Sequence, residues 1–408
     1  MSVLDRPIPH LRRSKLLMGL TALGLLGAGV GWWYDPHSFY FSYLVAWFFA
    51  LTIVLGMMFF VLLQHVTDAG WSVVVRRPAE QFLSAIPLMA VLAIPLVIAA
   101  FHSELFKWTA TPTPHEAVEK AAYLNLPFLM VRLVFYFAVF FTIARIMRGK
   151  SLAQDVSGDP QLSWSMRRLS APGFVIYALS FTFLCFDWIM SLQYEWFSTI
   201  FGVYVWSGSA VAALGMLSIF VVKMSRRSLR GKVDETTIHD LGKLLFAFAV
   251  FWAYIAFSQF FLIWYANIPE ETSFFLVRWV GPWKILSVLL LFIRFVLPFV
   301  ILMSALTKRR PRILVGMSVV LLLGHYLDLY WLIMPNRSAD GLGKTMWIDA
   351  ACLLGVGGLM LLKVIRAING SSPFPLKDPR LHESLSHGHG GHHGDSGEHG
   401  ALEDAAHA

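Results

Sequence analysis

The stretch Cys185-Phe-Asp-Trp-Ile-Met-Ser-Leu-Gln-Tyr-Glu-Trp-Phe-Ser-Thr-Ile-Phe201 places an aspartate, Asp187, inside an apolar run long enough to cross a membrane. An ionisable side chain within a bilayer costs roughly 3 kcal/mol or more unless it is paired or hydrated. Asp187 is therefore a candidate functional residue that needs a partner elsewhere in the chain.

Composition indicates a polytopic membrane protein. The 408 residues are 57% hydrophobic and 14% charged, and the mean hydropathy of +0.62 is too high for a water-soluble domain. The net charge of +8 does not indicate nucleic-acid binding, because the basic residues lie in short loops between apolar runs. Cys185 and Cys352 both lie inside apolar runs, so neither a disulfide framework nor an iron–sulfur ligand set is predicted.

The apolar runs predict an all-α fold with ten transmembrane helices, because each is about 18 residues or longer. The predicted spans, numbered 1 to 10 in chain order, cover residues 15–33, 39–63, 82–101, 127–147, 172–190, 198–222, 244–266, 285–306, 313–334 and 347–365. Lys and Arg are concentrated in alternate loops and in the terminal segments. The positive-inside rule therefore predicts that both termini face the cytoplasm.

The sequence divides into a membrane domain and a tail. We predict a ten-helix domain over residues 1–370 and a disordered cytoplasmic tail over residues 371–408. The tail is rich in Pro, Gly and His and contains seven of the 14 histidines. Its His-rich part could bind a metal adventitiously, but a solvated low-complexity segment explains the same composition.

Five ionisable side chains are predicted to share one layer in the outer half of the membrane, at a rise of about 1.5 Å per residue. They are Arg132, Asp187, Arg294, His325 and Asp328. Arg132 and Tyr136 are four residues apart, and His325 and Asp328 are three apart, so each pair shares a helix face.

Two interpretations of this layer stay open from the residues alone. Opposite charges at one depth could form a structural ion-pair network that ties spans 4, 5, 8 and 9 together. Alternatively, Asp187, His325 and Asp328 could handle protons at a quinone-head site, with Arg132, Arg294 and Tyr136 as their charge partners. A histidine and a carboxylate can accept the protons of a quinol, and a nearby arginine tunes their proton affinity.

A second group of polar residues suggests a proton path from the cytoplasm. It consists of His65, Asp68, Glu80, Tyr254 and Gln259. Ordinary interface residues would give the same pattern, since spacing alone does not connect them.

The sequence predicts no redox cofactor and no metal site in this chain. Only His65, at the cytoplasmic end of span 2, and His325, in span 9, could serve as axial ligands. They lie at opposite depths, whereas a membrane cytochrome needs axial histidines that face one another. No P-loop, GxSxG, HExxH or dinucleotide fingerprint is present.

Three segments resemble a known family. They are Phe186 to Thr199, Gly324-His-Tyr-Leu-Asp-Leu-Tyr-Trp-Leu-Ile-Met-Pro335, and His65-Val-Thr-Asp-Ala-Gly-Trp71 continuing through Arg76-Arg-Pro-Ala-Glu-Gln-Phe82. They look like the NrfD/polysulfide-reductase-type integral membrane subunits, and most resemble the shorter of the two such subunits in bacterial alternative complex III.

That resemblance implies two four-helix bundles, spans 2–5 and 6–9, flanked by spans 1 and 10 in a bacterial inner membrane. It implies a subunit of a respiratory quinol:cytochrome c or oxidase oxidoreductase that contributes to oxidation of quinol or menaquinol, to proton translocation, or to both. Expected partners are a paralogous membrane subunit, an iron–sulfur subunit, multihaem cytochrome c subunits that carry the redox centres, and a terminal oxidase.

Two rival functions are compatible with the same residues. A scaffold subunit would hold the iron–sulfur and haem subunits on the membrane without touching quinol. A stand-alone transporter would need helices broken by Gly or Pro near the midplane of two matching repeats, and Pro95 and Pro298 are isolated.

Overall fold

The computed structural model describes residues 11–110, 118–337 and 345–386, which contain helices and no strand. Ten helical segments are long and apolar enough to cross a membrane, as predicted from the apolar runs. Their bounds are Lys15–Tyr34, Pro36–Val66, Gly70–Phe101, Leu126–Ser157, Pro160–Gln193, Phe201–Ser225, Glu235–Ala266, Gly281–Met303, Pro311–Asn336 and Met346–Asn369. These segments keep the span numbers 1 to 10 below. The chain is an all-α, multi-pass membrane protein.

Several spans extend well beyond the predicted apolar runs because polar residues cap them. Span 7 begins at Glu235 rather than near residue 244, since the Asp234 side chain accepts a hydrogen bond from the Thr237 backbone N–H at 2.8 Å. Span 4 continues to Ser157 and ends at Gly158, whose backbone φ of 71° lies in the left-handed region. The hydrophobic stretch therefore predicts where the membrane is crossed, and the caps decide where each helix begins and ends.

The spans form two four-helix bundles. In the first bundle, span 2 packs on spans 3 and 5, and span 4 packs on the same two neighbours. In the second, span 6 packs on spans 7 and 9, and span 8 completes the ring. Spans 1 and 10 lie together against spans 2 and 3. The arrangement of two bundles with flanking spans 1 and 10 agrees with the sequence prediction.

The two bundles meet along spans 2 and 6, which form the centre of the molecule. In the most apolar 18-residue stretch of span 2, 94% of the residues are buried. In the corresponding stretch of span 8 only 22% are buried, and most side chains point outward. Contact between spans 2 and 6 is close at Gly56, where an added Cβ would overlap the backbone oxygen of Ser209. The Ser209 hydroxyl also donates to the backbone oxygen of Thr52 at 2.6 Å.

Span 3 is broken, and span 2 compensates for the break. The span consists of the helices Val73–Phe82, Ile86–Val91 and Ile94–Phe101 with 3₁₀ turns at Gly70–Ser72 and Leu83–Ala85. Tyr43 and Trp47 of span 2 donate side-chain hydrogen bonds, both 2.9 Å long, to the backbone oxygens of Leu92 and Met89. Carbonyl groups near the break are thereby satisfied inside the protein, as a membrane interior requires.

Spans 8 and 10 each contain a π-helical turn. In span 8 the helix Gly281–Leu291 is followed by a π turn at Phe292–Val296 and the helix Leu297–Met303. Pro298 has no backbone N–H to donate to Arg294, four residues earlier, which favours local widening at this point. Span 10 consists of Met346–Cys352, a π turn at Leu353–Gly357, and Gly358–Asn369.

The remaining short helices lie at the ends of the bundles. They are Lys107–Thr109, Pro269–Val277, Ala305–Arg309 and Leu381–Ser386, while spans 5 and 9 end in 3₁₀ turns at Met190–Gln193 and Met334–Asn336.

Residues 371–386 contact the first bundle, although their composition predicted a disordered tail. Asp378 forms an ion pair with Arg76, and Arg380 pairs with Asp68 at 2.5 Å. Asp155 accepts hydrogen bonds from the Ser372 hydroxyl at 2.7 Å and from the Leu376 backbone N–H at 2.9 Å.

Ser384 extends the same docking by donating to the Trp71 backbone oxygen at 2.9 Å. Residues 371–386 therefore pack against one end of the first bundle. Composition did not reveal this, because the charged partners of the segment are distant in the sequence. The predicted tail residues 387–408 lie outside the described part of the chain.

The helix Pro269–Val277 covers one end of the second bundle through Arg278. The Arg278 guanidinium is buried and donates to the backbone oxygens of Phe274, Trp331 and Leu332 at 2.7, 3.0 and 2.8 Å. Burial lowers the pKa of Arg278 to about 9, because no carboxylate among the described residues pairs with it. It remains protonated at neutral pH and ties this short helix to the end of span 9.

The contact between Gly56 and Ser209 gives a test of the bundle interface. Gly56→Ala places a methyl group against backbone of span 6, so we expect a loss of about 1–3 kcal/mol of stability from overpacking. Gly316→Ala is the control, since a Cβ there meets nothing within 4 Å. Thermal unfolding in detergent compares the two. Equal melting temperatures would contradict the close approach of spans 2 and 6.

Candidate functional site

The first buried ion pair lies between spans 4 and 5. Arg132 donates from Nε and Nη2 to the two carboxylate oxygens of Asp187, at 2.8 and 3.0 Å. Tyr136, one turn beyond Arg132, donates its hydroxyl to Asp187 Oδ2 at 2.8 Å. This bidentate geometry neutralises Asp187 with hydrogen bonds as well as charge. The structure thus brings together three of the predicted site residues.

Aromatic side chains enclose the Arg132 guanidinium. The rings of Tyr123 and Phe128 lie 3.9 and 4.2 Å from its centre, a cation–π arrangement. Arg132 Nη1 also donates to the Tyr123 backbone oxygen at 3.1 Å. Burial raises the pKa of Tyr123, and the carboxylate of Asp187 raises it further, so this phenol keeps its proton at neutral pH.

The second buried ion pair lies in the second bundle. Arg294 of span 8 donates to one carboxylate oxygen of Asp328 in span 9, and the Tyr204 hydroxyl of span 6 donates to the other. The ring of Trp252 lies 3.9 Å from the Arg294 guanidinium. Sequence reasoning missed Tyr204, which would have been suggested only by knowing that spans 6 and 9 are neighbours.

His325 lies at the contact between the two bundles. Its Nε2 is 2.9 Å from the Thr52 hydroxyl of span 2, which itself donates to the Phe49 backbone oxygen at 3.0 Å. The Thr52 hydroxyl has a single hydrogen, so when it donates to Phe49 the Nε2–H tautomer of His325 donates to Thr52. The other ring nitrogen, Nδ1, has no partner.

Two buried nitrogens without a partner, one on His325 and one on Arg294, face Gly208. Arg294 Nη2 is also buried without a partner, and an added Cβ on Gly208 would lie 3.1 Å from both this nitrogen and His325 Nδ1. Such contacts are too close for a methyl group unless one of the side chains shifts. Both nitrogens are therefore packed tightly against Gly208.

The five charged residues do not form the single network that their similar depth predicted. Each carboxylate finds its described partners within its own bundle, because spans 4 and 5 belong to the first bundle and spans 8 and 9 to the second. His325 is the member that contacts the other bundle. Residues at similar depth do pair, but depth along a helix does not specify which helices are neighbours.

The five residues of the predicted cytoplasmic path do not line one route. His65, Asp68 and Glu80 lie at the same end of the first bundle, where Glu80 is held by Arg76 and Arg77 and Asp68 pairs with Arg167.

The other two path residues lie in span 7 of the second bundle. Tyr254 is 64% exposed on the outside of this bundle. Gln259 is buried in the half of span 7 closer to Ala266, the end predicted to face away from the cytoplasm. Tyr254 and Gln259 therefore do not lie beside His65, Asp68 and Glu80. Span 7 is apolar on most sides, so its sequence does not reveal which face is internal.

A further buried carboxyl within a span, Asp349, was not predicted from the sequence. It lies in the first turn of span 10 and is 7% exposed. Ser42 Oγ lies 2.5 Å from its Oδ1, and the Tyr330 hydroxyl donates to its Oδ2 at 3.2 Å. Its position at the edge of an apolar run made it look like an ordinary interface residue.

A cavity of about 340 Å³ lies beside the Arg132–Asp187 pair. Residues before span 4 and residues around the end of span 5 line it: Glu119, Lys120, Ala122, Tyr123, Leu124, Phe186, Met190, Ser191, Tyr194, Trp196 and Phe197. Tyr123 contacts Arg132, and the Ser191 hydroxyl donates to the Asp187 backbone oxygen at 2.5 Å. The cavity and the ion pair are thus separated by single side chains.

A second groove, of about 530 Å³, lies between the basic ends of spans 6 and 9. Lys223, Arg226, Arg227 and Arg312 line it together with apolar residues. None of the paired carboxyls lines this groove, so its size does not make it the centre of the chemistry. Within residues 11–110, 118–337 and 345–386, no three His, Cys, Asp or Glu side chains are grouped as metal ligands would be.

Comparison with known proteins adds no identification. No protein-family model matches the chain, and no curated protein matches it. The fold and the paired buried charges define the class, a multi-pass α-helical membrane protein with ten candidate spans.

A double-mutant cycle tests the ion pair of the first bundle. Asp187→Leu leaves the Arg132 guanidinium buried without a carboxylate, which costs about 3–5 kcal/mol, and Arg132→Met leaves the opposite charge alone. We expect the double variant Arg132→Met/Asp187→Leu to be more stable than either single variant. Thermal unfolding of the four proteins in detergent provides the comparison. A double variant as destabilised as the sum of the single changes would show that the charges do not depend on each other.

Proposed function

We propose that this chain is an integral membrane subunit of a respiratory quinol:cytochrome c or quinol:oxidase oxidoreductase in a bacterial inner membrane. In this proposal it contributes to quinol oxidation, to proton translocation, or to both, and it carries no redox cofactor of its own. The observation that supports it best is the aromatic cavity beside the Arg132–Asp187 pair.

The cavity suits a flat, partly apolar ligand. Its volume of about 340 Å³ is within the usual range for small-molecule sites, and such sites combine apolar walls with a few polar groups. Tyr123, Phe186 and Trp196 offer aromatic surface, while Glu119 and Lys120 offer polar atoms at the same cavity. A quinol or menaquinol head group has this mixed character, and its isoprenoid tail would extend into lipid.

The ion pair next to the cavity gives the proposal its chemistry. Oxidation of a quinol to a quinone releases two electrons and two protons. The protons need oxygen or nitrogen acceptors near the ring. Glu119 lines the cavity, and the hydrogen-bonded pair of Tyr136 and Asp187 lies behind its lining residues. The electrons need an acceptor outside this chain, which in the proposal is an iron–sulfur cluster or haem c of a docked subunit.

His325 and Asp328 have a different place in the proposal from Asp187. They lie in span 9 of the second bundle, so they would handle protons that pass between the bundles rather than those released at the cavity. Arg294 is close to both residues, since it pairs with Asp328 and its Nη2 packs against Gly208, as His325 Nδ1 does. Proton translocation through this region would require a rearrangement that admits water between these side chains.

The proposed partners are those of the resembled family. They are a paralogous membrane subunit, an iron–sulfur subunit, multihaem cytochrome c subunits and a terminal oxidase, with lipid around the spans. Large exposed aromatic side chains on the second bundle, among them Trp264, Tyr265 and Trp279, are compatible with lipid or with a neighbouring membrane subunit.

A scaffold role is the second candidate function, and one observation favours it. Each of the two arginine–aspartate pairs joins two adjacent spans, so both pairs have a structural explanation without any substrate. A scaffold predicts that changes at these pairs lower the amount of assembled complex. It also predicts that turnover per assembled complex is unchanged.

Filling the cavity distinguishes the two functions. Ala122→Trp places a large side chain in the cavity without removing a charge. We expect kcat/KM for quinol to fall at least about tenfold in the assembled complex, equivalent to about 1.4 kcal/mol. Ala121→Trp is the matched control, because Ala121 is an exposed neighbour that does not line the cavity.

Both variants are compared at equal amounts of complex, purified with its partners. Loss of activity in Ala122→Trp alone supports the quinol site. Full activity in Ala122→Trp, or equal loss in both variants, would contradict a substrate site in this cavity.

A further inference from the structure

Asp349 occupies a junction of three spans that no proposed step uses so far. It lies on span 10, its partner Ser42 on span 2, and its partner Tyr330 on span 9. The carboxyl is buried and one turn from the first residue of its span. It is therefore enclosed by protein yet near the end of the membrane-spanning region predicted to face outward.

The hydrogen bonds around Ser42 indicate which group carries a hydrogen. Ser42 Oγ lies 2.9 Å from the Ser38 backbone oxygen and 2.5 Å from Asp349 Oδ1. A hydroxyl has one hydrogen and cannot donate to both oxygens at once. Both contacts are satisfied if Ser42 donates to Ser38 and a protonated Asp349 donates to Ser42.

The absence of a cation beside Asp349 supports the same state. Asp187 and Asp328 each contact an arginine, whereas no Lys, Arg or His among the described residues comes within ion-pair distance of Asp349. A buried carboxylate that has only neutral hydrogen-bond donors loses its hydration without gaining a paired cation. The neutral acid is then favoured.

The surroundings of Asp349 contain other titratable groups but no close counter-charge. Tyr326 and Tyr330 face it from span 9, and Cys352 lies on its own span. Arg337, at the end of span 9, interacts with Asp349 electrostatically without forming an ion pair, and it donates its Nη1 to the Thr345 hydroxyl at 2.7 Å. Span 1 contributes an apolar contact near this point, between Gly31 and Ile348.

We propose that Asp349 is a proton-binding site, holding an exchangeable proton between Ser42 and Tyr330, and that it differs from the ion-paired Asp187 and Asp328 in needing no arginine. The ligand is a proton, which Asp349 binds as a neutral carboxylic acid and releases as a carboxylate. On release, Ser42 turns its hydroxyl from Ser38 to Asp349, and Tyr330 continues to donate. The site thus has a hydrogen-bonding arrangement for each of its two states.

This inference goes beyond the proposed quinol site and does not depend on it. The cavity lies at spans 4 and 5, whereas Asp349 joins spans 2, 9 and 10. The proton occupancy of Asp349 is measurable in the purified chain without quinol or partner subunits.

Infrared difference spectroscopy tests the proposal on the full-length chain in lipid nanodiscs. A protonated carboxylic acid has a C=O stretch well separated from that of a carboxylate, and a pH step reveals the groups that change. We expect the wild-type protein to show a protonated-acid band at neutral pH that declines as pH is raised. Asp349→Asn should remove this band, while Asp187→Asn and Asp328→Asn should leave it in place.

Tyr330→Phe provides a second variant that keeps the carboxyl. Loss of the Tyr330 hydroxyl removes a hydrogen bond to Oδ2, so the band should shift to higher frequency rather than vanish. Tyr326→Phe is the matched control, since no hydrogen bond from Tyr326 to Asp349 is present.

Two results would overturn the assignment. One is a protonated-acid band that persists unchanged in Asp349→Asn, with the variant eluting as a folded monodisperse protein. The other is a wild-type spectrum without such a band at neutral pH, which would mean that Asp349 is ionised. If Asp349→Asn does not fold, a protonated-acid band that Tyr330→Phe does not shift would also overturn the assignment to Asp349.

Discussion

The fold depends on neutralising two buried aspartates within their own bundles. Asp187 is held by Arg132, and Asp328 by Arg294, in each case across two adjacent spans. A charge left alone at such a depth would be costly, and an arginine lowers that cost by supplying hydrogen bonds with the opposite charge, two from Arg132 and one from Arg294. Tyrosines complete both sites, since Tyr136 and Tyr204 each donate to the carboxylate. The two bundles thus solve the same physical problem in the same way.

The contact between the bundles is built differently, from small and neutral polar residues. Gly56 lets span 2 approach span 6, and Thr52 and His325 form a hydrogen bond across the same interface. Close packing of small residues is a common way to join helices where the hydrophobic effect offers little. Beside Gly208, His325 and Arg294 each have a buried nitrogen without a partner. A tight interface and two unsatisfied polar groups therefore occur together at the centre of the molecule.

Much of the fold follows from the sequence because the membrane imposes simple rules. Ten apolar runs predicted ten spans, and the spacing of Arg132 and Tyr136 correctly predicted that they share a face. The structure adds what local patterns do not contain, namely which helices are neighbours. Tyr254 was assigned to an internal path because nothing in span 7 marks its internal face. Asp349 was overlooked because its partners, on spans 2 and 9, are distant in the sequence.

The segment after the last span also shows that composition does not predict long-range contacts. Its composition predicted disorder from residue 371, yet Asp378 and Arg380 find charged partners at the end of the first bundle. Composition describes what a segment does alone, whereas these ion pairs depend on Arg76 and Asp68, three hundred residues earlier in sequence order. The function, too, is not fixed by local patterns. The proposed reaction rests on a resemblance in sequence, and the cavity beside Asp187 is the place proposed for its substrate.

Photoaffinity labelling tests that place most directly. The complex, purified with its native partners and active in quinol oxidation, is illuminated with an azidoquinone, and labelled peptides are mapped by mass spectrometry. The account predicts labelling within residues 119–124 and 186–197 that excess quinol suppresses. Labelling confined to another subunit, or labelling here that quinol does not suppress, would contradict a quinol site in this chain.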